Sequence, residues 1–401
     1  MDKDTIIQVK DLHVDIALHE GTLTAVRGVN FEIKKGETLG LVGESGCGKS
    51  LTSKAILGIN DKKCTSHGQV LFNAKSKGEV DLVQMNPTGK EIRAIRGKEI
   101  SMIFQEPMVA FSPMYTIGNQ IVEAVLLHIT KDKKEAKRIA LNMMKKVGIA
   151  NAEKRYNQYP HEFSGGMLQR ALIAMALVCN PRMLIADEPT TALDVTIQAQ
   201  ILELMKELQK DMGMAILFIT HDLGVVAKMC DRVAVMYLGK IVESADANTI
   251  YANPQHPYTK GLIGSVHKIG ASRDERLFSI EGTVPLAMNL PIQCGFYDRC
   301  TVAIKGLCDK AEPELVEIEP GHKIACFACE NAKCKLQVEK AKKEIADREE
   351  RRRLAAEEAA RKASEEQEKK NQSFTKRVSE NFKNNVSKVK DSASKIFNGG
   401  K

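Results

Sequence analysis

The chain has 401 residues, of which 43% are hydrophobic and 27% are charged, and its formal net charge is +8. No apolar run reaches the ~18 residues of a transmembrane helix, and residues 1–4 lack the pattern of a secretory signal, so we expect a cytoplasmic protein without a membrane span. From Lys335 onward, 19 Lys or Arg stand against 12 Asp or Glu, so the nearly neutral chain before Lys335 does not support a nucleic-acid-binding body.

The first part of the chain contains strand-like runs. Residues 6–14 and 26–33 are rich in β-forming residues and are separated by a turn-like segment at 19–21, which predicts an antiparallel start. A continuous apolar run at 38–42 then leads into a glycine-rich loop, and residues 50–58 favour a helix. The order strand, loop, helix follows.

The glycine-rich loop has the spacing of a phosphate-binding loop. It reads Gly43-Glu44-Ser45-Gly46-Cys47-Gly48-Lys49-Ser50. Glycines between a buried strand and a helix allow backbone N–H groups to converge on phosphate oxygens. Lys49 would reach the β and γ phosphates of ATP, and the Ser50 hydroxyl would bind Mg²⁺. By itself the loop permits a kinase, a GTPase or a helicase.

The middle of the chain predicts helices followed by buried strands. Helical patterns occupy residues 117–128, 133–147 and 165–179. Apolar runs at 183–187 and 215–220 are typical of strands buried on both faces, and a helical pattern at 195–212 lies between them. Buried strands that alternate with helices predict a parallel sheet.

Two adjacent acidic residues end one of these apolar runs. Asp187 at the strand end would hold Mg²⁺ through water, and Glu188 beside it would polarise the water that attacks the phosphate. A solvated acidic pair is the alternative interpretation. The Pro-Thr-Thr-Ala-Leu-Asp sequence at 189–194 disfavours that alternative.

A third motif lies upstream of the acidic pair. The sequence Phe163-Ser164-Gly165-Gly166-Met167 resembles the signature motif of the ABC ATPases. The resemblance implies that Ser164, Gly165 and Gly166 cap the nucleotide held by the loop of a partner subunit, so that two subunits close on two ATP molecules. Physically, a helix N-terminus offers donors to a γ-phosphate. Ser164 also suits a helix N-cap, and the two roles are compatible.

Further matches to the ABC ATPases follow in family order. The resemblance implies that Gln105 contacts the metal or water, that Asp194 crosses the dimer interface and that His221 senses the γ-phosphate. One departure is Ile16, which stands where most members carry an aromatic residue that stacks on adenine.

Several short stretches resemble the oligopeptide and dipeptide importer branch, which also contains nickel importers. They are residues 43–46, 105–108, 116–118, 163–167 and 256–259. The chain looks like the D-type ATPase of an oligopeptide permease. The resemblance implies ATP hydrolysis that energises oligopeptide import, with a nickel or other solute importer, or a non-transport ABC ATPase, as alternatives. The implied location is peripheral, on the cytoplasmic face of the cell membrane.

The same resemblance implies the partners. A homologous F-type ATPase, or an identical chain, would complete the dimer. Two transmembrane permease subunits would bind the dimer, and an extracytoplasmic solute-binding protein would act indirectly. No nucleic acid is expected.

Six of the ten cysteines lie near the end of the folded body. The branch implies that the spacing Cys294-x5-Cys300-x7-Cys308-x17-Cys326 holds a [4Fe-4S] cluster. Four thiolates also suit zinc, and Cys329 and His322 lie close in sequence. The cluster is favoured and zinc remains open.

The fold class is therefore α/β: a P-loop ABC ATPase core with an antiparallel β subdomain, a helical subdomain and a Cys-rich C-terminal appendix. We place the ATPase domain at 1–250 with its helical subdomain at about 106–180, the oligopeptide-transporter-type region at 251–334, and a charged tail, helical or disordered, at 335–401.

The end of the tail has apolar residues at roughly helical spacing among basic ones. The apolar positions are Phe374, Val378, Phe382, Val386, Val389, Ile396 and Phe397. This pattern predicts a basic amphipathic helix on the anionic membrane surface. A disordered tail is the alternative.

Overall fold

A computed structural model of the chain describes residues 2–75, 77–191, 193–265 and 280–397. The described strands are β1 (Thr5–Leu18), β2 (Gly21–Lys34), β3 (Thr38–Val42), β4 (Cys64–Ala74), β5 (Gly78–Asp81), β6 (Ile100–Ile103), β7 (Met183–Asp187), β8 (Ala215–Thr220), β9 (Arg232–Tyr237), β10 (Lys240–Asp246), β11 (Val316–Glu319) and β12 (His322–Ile324). The described helices are α1 (Lys49–Leu57), α2 (Lys90–Ile95), α3 (Pro107–Ala110), α4 (Ile117–His128), α5 (Lys133–Lys146), α6 (Ala152–Arg155), α7 (Gly165–Leu177), α8 (Val195–Met212), α9 (Leu223–Met229), α10 (Ala247–Ala252), α11 (Pro257–Gly264) and α12 (Ala332–Phe397). Short 3-10 turns lie at Pro160–Glu162 and Tyr297–Arg299.

A parallel sheet forms the centre of the fold. Strands pair in the order β9-β3-β8-β7-β6, all parallel. All residues of β3, β7 and β8 are buried, because the sheet is covered on both faces. The predicted strands at 38–42, 183–187 and 215–220 have these same bounds. The carboxyl ends of parallel strands meet at one edge, where α/β folds bind ligands.

A second sheet is antiparallel, with the order β2-β1-β4-β5. Its first two strands form a hairpin in which Leu18 pairs with Gly21, so both strands are longer than the predicted runs. The register of β1 shifts between Lys10 and His13, where Asp11 has a φ of 47°. A Cβ at Gly68 would lie 2.1 Å from the Asp11 carbonyl oxygen, so this bulge requires glycine on β4.

The helices α3 to α7 lie between β6 and β7. In α4, Ile117, Ile121 and Val125 are fully buried at four-residue spacing, which is the core-facing stripe of an amphipathic helix. Helix α4 has the predicted bounds. Helix α5 ends at Lys146 and α7 at Leu177, one and two residues before the predicted ends.

The region before the tail joins the main sheet. Strand β12 pairs antiparallel with β10, and β11 pairs with β12. Strand β12 covers β10, which would otherwise be an exposed edge of the sheet. Because this region continues the main sheet, the prediction of a separate Cys-rich appendix is not confirmed. Residues 1–338 form one compact unit and residues 339–401 a second.

The tail is helical: α12 runs through both segments that the sequence distinguished. The side chains of Val389, Ile396 and Phe397 lie outside the described part. Among the residues that are described, no helix combines the length and apolarity needed to cross a membrane.

Candidate nucleotide site

The glycine-rich loop between β3 and α1 folds around the Lys49 ammonium. Lys49 Nζ donates to the carbonyl oxygens of Gly43, at 2.8 Å, and Glu44, at 2.9 Å. Gly48 has a φ of 102°, and a Cβ there would lie 2.5 Å from the Ala25 carbonyl oxygen. The loop conformation therefore depends on glycine, and it places a cation and the N-terminus of α1 together, as phosphate binding requires.

Ser50 and Asp187 meet at the end of β7. Ser50 Oγ donates to Asp187 Oδ1 at 3.0 Å. Burial raises the pKa of the Asp187 carboxyl, the Ser50 hydrogen bond opposes this, and the negative charge of Glu188 raises it further. Neighbouring hydroxyl and carboxylate oxygens are the hard ligands that Mg²⁺ prefers, so this pair fits the metal.

Glu188 lies at the centre of a hydrogen-bond network. Its Oε2 accepts from Gln105 Nε2 and Thr191 Oγ1, both at 3.0 Å, and its Oε1 lies 3.1 Å from His221 Nδ1. Burial raises the pKa of Glu188, but the hydrogen bonds from His221 and Thr191 lower it by a larger amount. The net pKa of Glu188 therefore lies below its usual range. The carboxylate is therefore charged at neutral pH and can accept a proton.

Backbone conformation at Glu188 is unusual. Its φ of 48° lies in the left-handed region, which non-glycine residues rarely adopt and which concentrates at functional sites. The Glu188 N–H donates to the Ile219 carbonyl oxygen of β8 at 2.9 Å. The sheet therefore holds the carboxylate close to the residues that follow β6 and β8. The pKa values of the adjacent Asp187 and Glu188 are shifted in opposite directions, which suits two different roles.

The signature residues lie on different elements from this network. Ser164 caps α7 and accepts from the Met167 N–H at 3.4 Å. Asp194 caps α8 and accepts from the N–H groups of Thr196 and Ile197, at 3.1 and 3.0 Å.

Close packing against α8 explains why the signature has a glycine at position 166. A Cβ there would lie 2.8 Å from Ile197, so the start of α7 packs closely on α8, whereas Gly165 lies 3.8 Å from Leu193 by the same measure. The signature and Asp194 thus form a second surface within one chain.

The four predicted ligand cysteines lie in one neighbourhood. Cys294 N–H donates to the Cys308 carbonyl oxygen at 2.7 Å, and the Cys308 thiol accepts from the Ile304 N–H at 3.3 Å. The other three thiols also accept backbone N–H groups, from Phe296, Val302 and Ala328.

Burial raises the pKa values of all four thiols, and the pKa reaches about 12 for Cys294 and for Cys326, where the other three thiols contribute to the increase. Within the described ranges, however, no three His, Cys, Asp or Glu side chains are positioned to hold a metal ion. The structure therefore does not support the cluster, which stays a prediction.

The chain is similar to known proteins over most of its length. A family model described as "ABC transporter" matches residues 26–191, and one described as "Oligopeptide/dipeptide transporter, C-terminal region" matches residues 242–308. A probable peptide ABC transporter ATP-binding protein of Sinorhizobium fredii is 50% identical over 81% of this chain and 95% of that protein. The chain belongs to the ATP-binding subunits of ABC transporters. A dipeptide transport ATP-binding protein of Bacillus subtilis is 49% identical over 81% of this chain and 95% of that protein.

Solved ABC cassettes have the same fold. A post-hydrolysis dimer of an ATP-binding cassette bound to ADP and phosphate is 25% identical, with a TM-score of 0.53, over 60% of this chain and 99% of that one. A Clostridium perfringens cassette from an ABC transporter complex is 28% identical, with a TM-score of 0.52, over 63% of this chain and 92% of that one. The predicted ABC ATPase core is confirmed, and the chain is an ABC-type ATPase.

Two residues of this ABC ATPase site were missed in the sequence. Thr191 donates to Glu188, and the only signal for it was its place in the motif at 189–194. Gln169 is 1% exposed, and its Nε2 donates to the Pro189 carbonyl oxygen at 2.6 Å, joining α7 to the loop after Glu188. A glutamine in the largely apolar helix α7, where Arg170 is the other polar side chain, was the available signal, because a buried amide needs a partner.

Proposed function

We propose that this subunit hydrolyses ATP to energise the import of oligopeptides through an ABC transporter. The observation that carries the proposal is the Glu188 carboxylate, which accepts bonds from Gln105, Thr191 and His221 beside the Ser50–Asp187 pair. The peptide assignment is supported by the names of the relatives from Sinorhizobium fredii and Bacillus subtilis and by the second family match.

In the proposed mechanism, Lys49 releases the loop carbonyls and binds the β and γ phosphates of ATP. Glu188 takes a proton from the attacking water, while Gln105 and His221 fix the direction of its carboxylate. Ser50, Gln105 and Asp187 would hold Mg²⁺, which would supply positive charge against the phosphate oxygens. His221 is 62% exposed on its side chain, so it is accessible to the γ-phosphate.

The second surface completes the proposed site in a dimer. Ser164, Gly165 and Gly166 offer the N-terminus of α7 to the nucleotide of the partner subunit, and Asp194 faces the same interface. The partner is a homologous F-type ATPase or an identical chain. The dimer lies on the cytoplasmic face of the membrane, and its closure around ATP changes the conformation of two transmembrane permease subunits. An extracytoplasmic solute-binding protein delivers the peptide to them.

Transport by the assembled complex tests this function. Proteoliposomes that contain the two ATPases and both permease subunits are given ATP inside, and the solute-binding protein with a labelled oligopeptide outside. The expected result is ATP-dependent uptake of the labelled peptide and no uptake of labelled Ni²⁺ under the same conditions. Uptake of Ni²⁺ without peptide uptake would instead assign the nickel alternative, and ATP hydrolysis without uptake of either would contradict the transport assignment.

We also propose that Cys294, Cys300, Cys308 and Cys326 hold a [4Fe-4S] cluster, although the thiols must move closer to do so. Support comes from the shared neighbourhood of the four cysteines and from the chemistry of four thiolate ligands, which a bound metal would deprotonate. Iron and acid-labile sulfide near four each per chain, after anaerobic purification, is the expected result. One zinc per chain without sulfide would support the zinc alternative, and neither metal would contradict both.

For the tail, we propose that α12 binds the anionic membrane surface. Phe374, Val378, Phe382 and Val386 follow one another at four-residue spacing and are 70%, 51%, 72% and 42% exposed. Basic residues alternate with them, which favours anionic lipid. The variant Phe374→Ser/Phe382→Ser should bind vesicles containing phosphatidylserine more weakly than the native chain. Equal binding by the two proteins would contradict the proposal.

A further inference from the structure

Glu44 of the phosphate-binding loop is bonded to residues far along the chain. Its carboxylate is paired with the guanidinium of Arg299, which follows at a sequence separation of 255 residues. Arg299 Nη1 lies 2.7 Å from Glu44 Oε2, and Nη2 lies 3.0 Å from Oε1. This two-point geometry fixes the carboxylate in direction as well as in position.

Arg299 is itself held rigidly. Its side chain is only 5% exposed, and Nε donates to the Glu281 carbonyl oxygen at 2.8 Å. Nη2 also donates to the carbonyl oxygens of Ile280 and Gly282, at 3.4 and 3.2 Å. The guanidinium is therefore fixed before it meets Glu44, and little side-chain entropy is lost when the pair forms.

The Glu44 backbone is fixed as well. Its N–H donates to the Tyr258 hydroxyl at 2.8 Å, and its carbonyl oxygen accepts from Lys49 Nζ at 2.9 Å. Tyr258 is fully buried at the start of α11. Glu44 is thus held through its carboxylate, its N–H and its carbonyl oxygen, and two of the three partners lie beyond residue 250.

The Glu44–Arg299 pair also determines the charge of the phosphate-binding loop. The loop is built to bind the polyanionic phosphates of ATP, yet Glu44 brings a carboxylate into it. A like charge near a bound anion weakens binding, and a closely paired guanidinium cancels much of that effect. Without its partner, Glu44 would oppose the ligand that the loop binds.

We propose that Arg299 is a positioning residue for ATP binding, which acts by neutralising Glu44 and fixing the first half of the phosphate-binding loop. This inference rests on the proposed ATP site. It extends that site to Arg299, a residue of the C-terminal region next to Cys300, without which the site would be incomplete.

The test separates KM from kcat. In the assembled transporter, Arg299→Met should raise the KM for MgATP about tenfold, equivalent to about 1.4 kcal/mol, and change kcat by less than about twofold. Arg299→Lys keeps the charge and loses the two-point geometry, so its KM should lie between those of Met and Arg. The affinity of each full-length chain for MgATP should follow the same order.

A double variant tests whether the effect passes through Glu44. In Glu44→Gln/Arg299→Met the uncompensated carboxylate is gone, so the KM should fall back from the value of Arg299→Met towards the native one. A double variant no better than Arg299→Met would overturn the proposal. If Arg299→Met does not fold, Arg299→Lys decides alone, and a native KM in that variant would overturn the proposal.

Arg27→Met is the matched control. Arg27 pairs with Glu312 at 3.0 Å and so also ties the core to the C-terminal region, but its side-chain hydrogen bonds to Glu312 and to the Leu238 carbonyl oxygen lie outside the loop. Its KM should stay native, whereas an equal increase in both variants would reduce Arg299 to a general tether and overturn the proposal. Absence of ATP hydrolysis by the native complex would instead contradict the proposed function itself.

Discussion

The nucleotide site and the cysteine region are built by different means. At the candidate nucleotide site, the proposed functional side chains follow β3, β6, β7 and β8, whose backbones are fixed by a parallel ladder with buried neighbours on both faces. Between Cys294 and Cys326, the described regular structure is one 3-10 turn and two strands of four and three residues. Side-chain contacts must therefore do there what backbone hydrogen bonds do in the core. It follows that substitutions should impair chemistry in the first region and, apart from those of Arg299, stability in the second.

Glu188→Gln should break the chemistry of the first region with the largest effect. Glutamine keeps the shape and the hydrogen-bonding capacity but cannot accept the proton of water, so kcat should fall about 10²–10⁴-fold. MgATP affinity and the free energy of unfolding should stay near native, because the sheet positions the loop independently. Steady-state ATPase assays and ATP-binding titrations measure this.

The control for this variant is Glu207→Gln, an exposed carboxylate on α8, which should leave kcat unchanged. Turnover retained within tenfold in Glu188→Gln would show that another group accepts the proton. A large loss of stability would show that the network around Glu188 is structural.

Phe296→Ala should show the opposite behaviour in the second region. Phe296 is 4% exposed, and its ring centroid lies 5.2 Å from that of Tyr237 and 5.5 Å from that of Tyr258. Truncation of a buried Phe costs about 3–5 kcal/mol, which denaturant unfolding would measure. Phe374→Ala, at an exposed position, should cost almost nothing. A loss below about 1 kcal/mol for Phe296→Ala would mean that the cysteine region is stabilised by something other than this packing.

The acidic pair makes a prediction about pH. Asp187 has a raised pKa, so on acidification its carboxylate takes up a proton before a carboxylate with an ordinary pKa does, whereas Glu188, with a lowered pKa, stays charged to lower pH. Metal binding competes with that proton. Mg²⁺ affinity should therefore fall by up to about tenfold per pH unit while Asp187 is being protonated, and titrations of Mg²⁺ at a series of pH values measure it. In Asp187→Asn this pH dependence should vanish, and its persistence would assign it to another group.

Sequence patterns were sufficient where function and fold share a local signal. The strand before the P-loop, the acidic pair and the buried strand before His221 were predicted because apolar runs and polar strand ends are adjacent in the chain. Helix starts were predictable for a similar reason, since Thr116, Asp132, Ser164 and Asp194 all cap the helices that follow them.

Contacts between distant segments could not be predicted in this way. The pairing of β12 with β10 depends on a free sheet edge, and the Arg299–Glu44 pair joins residues with no shared local pattern. Strands β1 and β2 were predicted too short because their ends alternate weakly between buried and exposed positions. The roles of the individual site residues stay predictions until the variants are measured.

Substitution of Asp194 should have the smallest effect of the predicted changes. It separates structure from chemistry most sharply, because this one side chain has both a structural role and a proposed functional role. Loss of its cap on α8 in Asp194→Ala should cost about 1 kcal/mol of folding stability, measured by denaturant unfolding. Asparagine is an equally good cap, so Asp194→Asn should keep that stability while removing the charge. A fall in turnover in Asp194→Asn would therefore report the carboxylate at the dimer interface.

The matched control is Asp132→Ala, which removes the corresponding cap from α5, where Asp132 accepts from the Lys134 N–H at 2.9 Å. It should lose similar stability without losing turnover, because α5 lies within the helical subdomain and carries none of the proposed site residues. If Asp194→Asn and Asp132→Ala both keep native turnover, Asp194 acts only as a helix cap. The side chains that follow buried strands would then account for the chemistry without it.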